Sequence, residues 1–459
     1  MKYSGHKKHI NRVFWVYLGA WGLSFFLFLW QLLQRGRTLT ESANIFFTEV
    51  APNKTFLILL HLLFALLFLL FLAFRYLQKV FKRSGAKPMF KRLGLYFVLP
   101  FTLLFAGVKT LVHVNTYEPV TFSWDERVMN SSGRAGNLYE LDGMHRGISV
   151  FGWRNANEQA IADLLKTNAE WVAIIPFMYQ ENEGSLELRP DRKDDAFNRN
   201  DSLFITVIND LHGKDIQVHL KPHLWLGQGW RSDITLHTDT DWDTWFNSYR
   251  SQILHYAKMA QLTGVELFCI GTELRTSIKT QPEAWHTLIA DIRKIYDGQL
   301  TYAANWHDEY EYVTFWQELD YIGIQAYFPL TKTRNPDLEI IQKGWQPHIE
   351  TLSAFSEKHR TPILFTEVGY KSESSATIKP WEWGHALQVL IKKKSDRTQY
   401  LAYEALFSEL WQQDWFAGVY IWEWNTRSKK ESADTDLDFS PRFKPAENVI
   451  AKWFGRQSH

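Results

Sequence analysis

Apolar residues are distributed along this chain in two different ways. In the first third they run almost unbroken for the length of a long helix. After residue 146 they come as short bursts between amphipathic stretches. The unbroken runs are Val13–Leu33 (VFWVYLGAWGLSFFLFLWQLL), Thr55–Phe74 (TFLILLHLLFALLFLLFLAF) and Leu93–Val114 (LGLYFVLPFTLLFAGVKTLVHV). Each is close to the roughly 20 residues that a helix needs to cross a bilayer. Pro100 and Lys109 interrupt the third run. Proline is tolerated in such helices, and Lys109 lies near enough to one end to reach the interface. The first run is too long, and too poorly followed by small residues, for a cleaved signal peptide. The pattern predicts a transmembrane module over residues 1–114.

Flanking charge gives that module an orientation. Lys2, Lys7, Lys8 and Arg12 precede the first run, and Arg75, Lys79, Lys82, Arg83, Lys87, Lys91 and Arg92 separate the second from the third. The connector between the first two has only Arg35, Arg37 and Lys54, beside Glu41 and Glu49. The positive-inside rule places the N-terminus and the Arg75–Arg92 loop in the cytoplasm. With three spans, the rest of the chain lies on the non-cytoplasmic side, so its location hinges on the third run. Residues 115–146 are polar and irregular and read as a linker, with NSSGRAGN at 130–137. Asn130-Ser131-Ser132 matches a glycosylation acceptor, a triplet common by chance.

From Gly147 the period changes. Strand-like bursts fall at 147–152, 171–176, 216–225, 265–274, 300–306, 319–328, 362–370 and 416–425. Helical patterns fill the gaps at 158–168, 242–262, 282–296, 343–359 and 396–413. Continuous apolar strands alternating with helices indicate a parallel sheet covered on both faces. Eight such units predict an α/β fold, a (β/α)₈ TIM barrel over 147–459, a size near the ~250 residues usual for it. The alternative, a doubly wound open sheet, would carry a Gly-rich first turn. GWRNANE (152–158) has no G-x-G-x-x-G.

Composition narrows the function. The formal net charge of +1 argues against nucleic acid as the main partner. Cys269 is the only cysteine, so no intramolecular disulfide can form. The 21 tryptophans suit a large core, a membrane belt or a sugar-binding cleft, and position must decide among these. No H-E-x-x-H, His/Cys cluster, G-x-S-x-G or P-loop occurs, so no metal or cofactor is expected.

Barrel enzymes place their chemistry at the C-terminal ends of the strands. Polar residues collect there: His223 and Trp225 on the third strand, Glu273 on the fourth, and Asn305, Trp306 and His307 on the fifth. The sixth offers Gln325 and Tyr327, the seventh Glu367 and Tyr370, and the eighth Trp422, Glu423, Trp424 and Asn425. The opposite ends show no such set. Strands four and seven lie across the mouth from one another, so Glu273 and Glu367 can face each other over a cleft. Paired carboxylates suit glycoside hydrolysis, one protonating the leaving oxygen while the other attacks or activates water. Crowding them raises the pKa of one. A structural carboxylate paired with Arg or Lys is the competing reading. Trp225, Trp306, Trp422, Trp424 and Tyr327 offer faces for pyranose rings, and the spacing of Trp422 and Trp424 puts both on one strand face.

IGTEL (270–274), FTEVGY (365–370), VYIWEWN (419–425) and DFSPRFKPAENVIAKWF (438–454) together resemble glycoside hydrolase family 113, β-mannanase-like, within the large clan of retaining (β/α)₈ glycosidases. The resemblance covers about Gly147 to Gly455. It implies that Glu273 is the general acid/base and Glu367 the nucleophile. It also implies that Tyr327 orients the nucleophile and that Trp422 or Trp424 floors the cleavage point. Configuration would be retained, with carboxyl groups ~5–5.5 Å apart. Thr272 departs from much of the clan, which has Asn before the acid/base and uses it on the sugar 2-hydroxyl. The three apolar runs are not expected of a secreted mannanase and leave open a branch with another β-linked substrate, such as an envelope or exported polysaccharide. The sequence therefore reads as a membrane-anchored retaining hydrolase of a β-linked glycan of the β-1,4-mannan type. The alternatives are a non-catalytic glycan-binding barrel and a membrane partner of a polysaccharide transport or synthesis complex.

Overall fold

The computed structural model describes residues 3–34, 38–51, 54–116, 137–153, 158–190, 196–383 and 391–456. The chain forms two compact units, Met1–Lys109 and Thr110–His459. Most of the expected linker, including its glycosylation triplet, lies outside the described residues.

The first unit is helical. Helices α1 (Tyr3–Gln34), α2 (Leu39–Ile45) and α3 (Lys54–Ser84) are followed by α4 (Ala86–Leu93), a π-helical turn at Gly94–Val98, and α5 (Leu99–Thr116), which runs into the second unit. Three stretches are long and apolar enough to cross a membrane: Val13–Leu33, Phe56–Ser84 and Ala86–Thr116. The second and third outrun the expected segments at their shared end, because the intervening basic stretch is helical too. Aromatic rings join α1 to α3 and to the turn after α2: Tyr17 meets Phe64 at 5.2 Å, Trp21 meets Phe56 at 5.5 Å and Phe25 meets Phe46 at 4.9 Å. Trp15, Leu59, Leu66, Phe101 and Leu104 point outward and are more than half exposed. Apolar side chains exposed in such numbers are unusual on a surface facing water.

The second unit is the expected barrel. Strands β1 (His145–Phe151), β2 (Trp171–Ile174), β3 (Gln217–Leu220), β4 (Leu267–Thr272), β5 (Gln299–Asn305), β6 (Tyr321–Gln325), β7 (Ile363–Val368) and β8 (Phe416–Asn425) pair in parallel and close. An open doubly wound sheet is thereby ruled out. Alternation sends Val172, Ile174, Val218, Leu220, Ile322 and Ile324 outward against the helices. The inward positions stack Trp171, Leu267, Tyr321, Leu364 and Tyr420 at one level and Ile175, Tyr327, Trp422 and Phe439 nearer the rim.

The third strand departs from its expected span of 216–225. It stops at Leu220, and after Lys221-Pro222 the chain leaves the barrel. Proline has no N–H for the ladder, so a strand within a sheet ends there. His223–Leu226 instead joins Phe177–Gln180 and Arg189–Pro190 in a three-stranded rim sheet. Pro176 divides the second burst in the same way.

Candidate active site

Most of the site is delivered by the C-terminal ends of the barrel strands. β4 is apolar and fully buried, and Glu273 follows its last residue in the left-handed region at φ +52°. Non-glycine residues adopt that conformation when surrounding bonds impose it. Here the Glu273 N–H donates to the Ala303 carbonyl at 2.9 Å, and the Ser232 hydroxyl donates to the Glu273 carbonyl at 2.8 Å. The turn aims the carboxylate across the rim. Asn305, ending β5, donates through Nδ2 to its Oε1 at 2.7 Å, and Arg231 donates to its Oε2 at 2.5 Å. The Arg231 guanidinium lies 4.5 Å from the Trp230 ring, which fixes its plane.

Asn305 is itself held from behind. Its backbone N–H donates to Glu309 Oε2 at 2.8 Å, and the Tyr302 hydroxyl donates to Oε1 at 2.6 Å. Tyr302 accepts in turn from the Leu274 N–H at 2.7 Å. Burial pushes the Glu309 carboxyl up to about 8.

Glu367 lies on β7 and is buried. Lys221 Nζ donates to its Oε1 at 2.6 Å and the Tyr327 hydroxyl donates to its Oε2 at 2.9 Å. The Gln325 amide, turned nitrogen-inward, reaches both oxygens at 2.7 and 2.6 Å. His223 Nε2 lies 3.4 Å from Oε1. Burial and then the Lys221 charge hold His223 well below its usual range, so it is neutral at this contact. Burial pushes the Glu367 carboxyl above its usual range; Lys221 draws it back, Glu273 adds to the rise, and the bonds from Lys221 and Tyr327 oppose it.

Trp422 forms the floor beside these groups. It stacks parallel to His223, with centroids 6.2 Å apart and 5° between planes, and meets Phe151 edge-on at 4.9 Å. Trp383 closes over it at 6.2 Å. Next to Trp422, burial and the charge of Asp438 push Glu423 up to about 7.

Both carboxylates thus hold a cation, as purely structural ones would. Two features set them apart. Each also receives a neutral donor aimed at its second oxygen, and both stand at the C-terminal ends of barrel strands, on the same rim.

The sequence profile of Glycoside Hydrolase Family 113 matches residues 150–444. The chain belongs to glycoside hydrolase family 113. Its fold matches a family-113 β-1,4-mannanase at 25% identity with a TM-score of 0.58, covering 68% of this chain and 98% of that one. It also matches the family-113 β-mannanase AaManA from Alicyclobacillus acidocaldarius in complex with ManMIm, at 28% identity and a TM-score of 0.59, covering 69% and 99%. No match was found among curated protein sequences.

Not every expected residue of this family-113 hydrolase meets at the carboxylates. Glu273, Glu367, His223, Asn305, Gln325, Tyr327 and Trp422 do. Trp424 does not: it is fully buried in the layer between barrel and helices. Between Ile148 and Val150 of β1, the partner strand advances from Ile421 to Trp424, one residue more than regular pairing requires. Such a bulge breaks the two-residue alternation, so the two tryptophans face opposite ways. Trp225 stands half-exposed on the rim sheet, edge-on to Phe177 at 6.1 Å. Trp306 is half-buried against Trp381 at 5.0 Å. His307 is exposed and lines a separate cavity of about 230 Å³ with Asp308, Tyr310, Phe328 and His348. Tyr370 is buried against Tyr403.

Sequence reasoning missed Lys221, Arg231, Glu309 and Trp383. Lys221 left a signal, a charge at the end of the apolar run IQVHL. Arg231 left none, because it opens a single short 3₁₀ turn, Arg231–Asp233, beyond the rim sheet.

Proposed function

We propose that the chain is a membrane-anchored retaining hydrolase of β-linked glycans of the β-1,4-mannan type, working by double displacement. The observation that carries this reading is the placement of two buried carboxylates at the C-terminal ends of opposite barrel strands, Glu367 on β7 and Glu273 on the turn after β4. Glu367 is pinned at both oxygens deep in the cleft, as a nucleophile needs to be. Glu273 stands on a turn at the rim, where a leaving group departs.

In the first step a Glu367 oxygen attacks the anomeric carbon and the bond to the leaving oxygen breaks. Glu273, in its acid form, gives that oxygen its proton. In the second step Glu273 takes a proton from water, whose oxygen displaces Glu367 from the same carbon. Two inversions leave the configuration retained. Lys221 and Tyr327 hold the departing carboxylate in place between steps, and Trp422 offers its face to the sugar. The β-mannanase neighbours support mannan as the substrate class, and no cofactor enters.

Anchoring rests on the three apolar helices. The basic flanks of the module favour a cytoplasmic N-terminus and a catalytic domain, residues 147–459, on the other side. Glu273→Gln and Glu367→Gln are each expected to lower turnover of β-1,4-manno-oligosaccharides by about 10²–10⁴-fold or more while the thermal unfolding curve is kept. Wild-type rates in either variant would overturn the assignment.

A further inference from the structure

Charge is divided sharply along this chain. Residues 1–109 carry 15 Lys or Arg against two Glu, and no Asp or Glu occurs from Val50 to Tyr117. Since the whole chain nets only +1, everything after residue 109 is net acidic. A sign bias that sets topology needs only cations near a span end. Here they also have geometry.

α3 does not stop where its apolar run ends at Phe74 but continues to Ser84. On this extension Arg75, Lys79, Lys82 and Arg83 recur at helical spacing, within a stripe of about 100°. Val80, outside that stripe, is buried. The chain then turns at Gly85, with φ +82°, into α4, which adds Lys87, Lys91 and Arg92. Arg92 donates to the Tyr76 hydroxyl at 3.1 Å and lies 6.0 Å from its ring. That bond returns α4 to the level at which α3 left the apolar run. All seven cations are exposed, and none has a carboxylate partner among the described residues.

We propose that this hairpin, Arg75–Arg92, is a docking surface for anionic phospholipid head groups. The inference rests on the reading of the apolar helices as spans. At 1.5 Å per residue the Gly85 tip stands ~15 Å beyond Arg75, whereas Lys79 is only ~6 Å out. The surface potential of an anionic leaflet fades within ~10 Å. Arg75, Lys79, Lys91 and Arg92 therefore carry the contact, and Lys82, Arg83 and Lys87 at the tip add little. Tyr76 and Tyr96 flank the level at which phosphates lie, where aromatic residues with a polar end are favoured.

The test uses the full chain in a neutral detergent, with thermal unfolding followed as dioleoylphosphatidylglycerol, dioleoylphosphatidylcholine or inorganic phosphate is added. Phosphatidylglycerol is expected to raise Tm in a saturable way, and the other two to leave it unchanged. R75Q/K79Q/K91Q/R92Q is expected to weaken the apparent lipid affinity several hundredfold, about fivefold per cation. R75K/R92K and K82Q/R83Q/K87Q should keep most of it. If the quadruple variant fails to accumulate, K79Q/K91Q is read instead, with about a 25-fold weakening expected. Equal responses to the two lipids, saturation by inorganic phosphate, or an unchanged response in the neutralised variants would overturn the proposal. Hydrolysis of a manno-oligosaccharide in the same samples separates this outcome from failure of the proposed activity. A full chain that stays dispersed without detergent would overturn the spans and this inference with them.

Discussion

Lys221 shows how one side chain links burial to chemistry. It is fully buried and meets a buried carboxylate at 2.6 Å. Removing one partner of such a pair leaves the other charge uncompensated, which costs about 3–5 kcal/mol. Lys221→Met is therefore expected to lower unfolding stability by about that amount and to reduce kcat. Because Lys221 favours the charged form of Glu367, its loss should also move the acidic limb of the pH–rate profile upward. A destabilised variant whose pH profile stays in place would limit Lys221 to packing. Glu309 makes a different prediction. Its pKa rises from 4.5 unfolded to about 8 folded, chiefly through burial. Between those values the folded state holds a proton that the unfolded state has released, so stability falls as pH rises. Its contribution is fully present below pH 4.5 and is lost through about 8. Glu309→Gln should flatten that decline in a series of denaturant titrations. A residual slope is expected from Glu447, which burial also pushes up to about 8.

At the scale of elements, most of the barrel could be read from the chain. Eight apolar bursts alternating with helices determine a closed parallel sheet, and both strand-end glutamates were visible as polar residues closing apolar runs. What the pattern hid were irregularities in otherwise regular strands. Pro222 diverts the third burst into a rim sheet, and one extra residue in β8 turns Trp424 away from the cleft while Trp422 stays in it. Spacing alone cannot report a bulge, because the residue count is the same until pairing is known. Arg231 was hidden for a related reason, since a three-residue 3₁₀ turn is too short to show a period. The two tryptophans should therefore separate by readout. Trp424→Ala is expected to cost about 3–5 kcal/mol of stability and leave KM of the folded enzyme unchanged. Trp422→Ala should lose roughly 2 kcal/mol of transition-state binding, about thirtyfold in kcat/KM. The reverse pattern would place Trp424 in the cleft.

At the scale of the molecule, one chain joins a strongly basic helical module to a net-acidic family-113 hydrolase barrel. The module was legible because long apolar runs have few other uses, and the barrel because its alternation persists for eight units. The substrate's fine structure was not legible, because side chains beyond the barrel strands join the site from short connecting segments, as Arg231 and Trp383 do. The proposed double displacement puts the covalent glycosyl intermediate on Glu367. It is tested most directly by incubating the enzyme with an activated 2-deoxy-2-fluoro-β-mannosyl substrate, then digesting it and locating the added mass by peptide sequencing in the mass spectrometer. The adduct is expected on the Glu367 carboxylate. Label on another carboxylate such as Glu423 would take the nucleophile's role from Glu367, and turnover with inverted configuration and no adduct would overturn the double displacement.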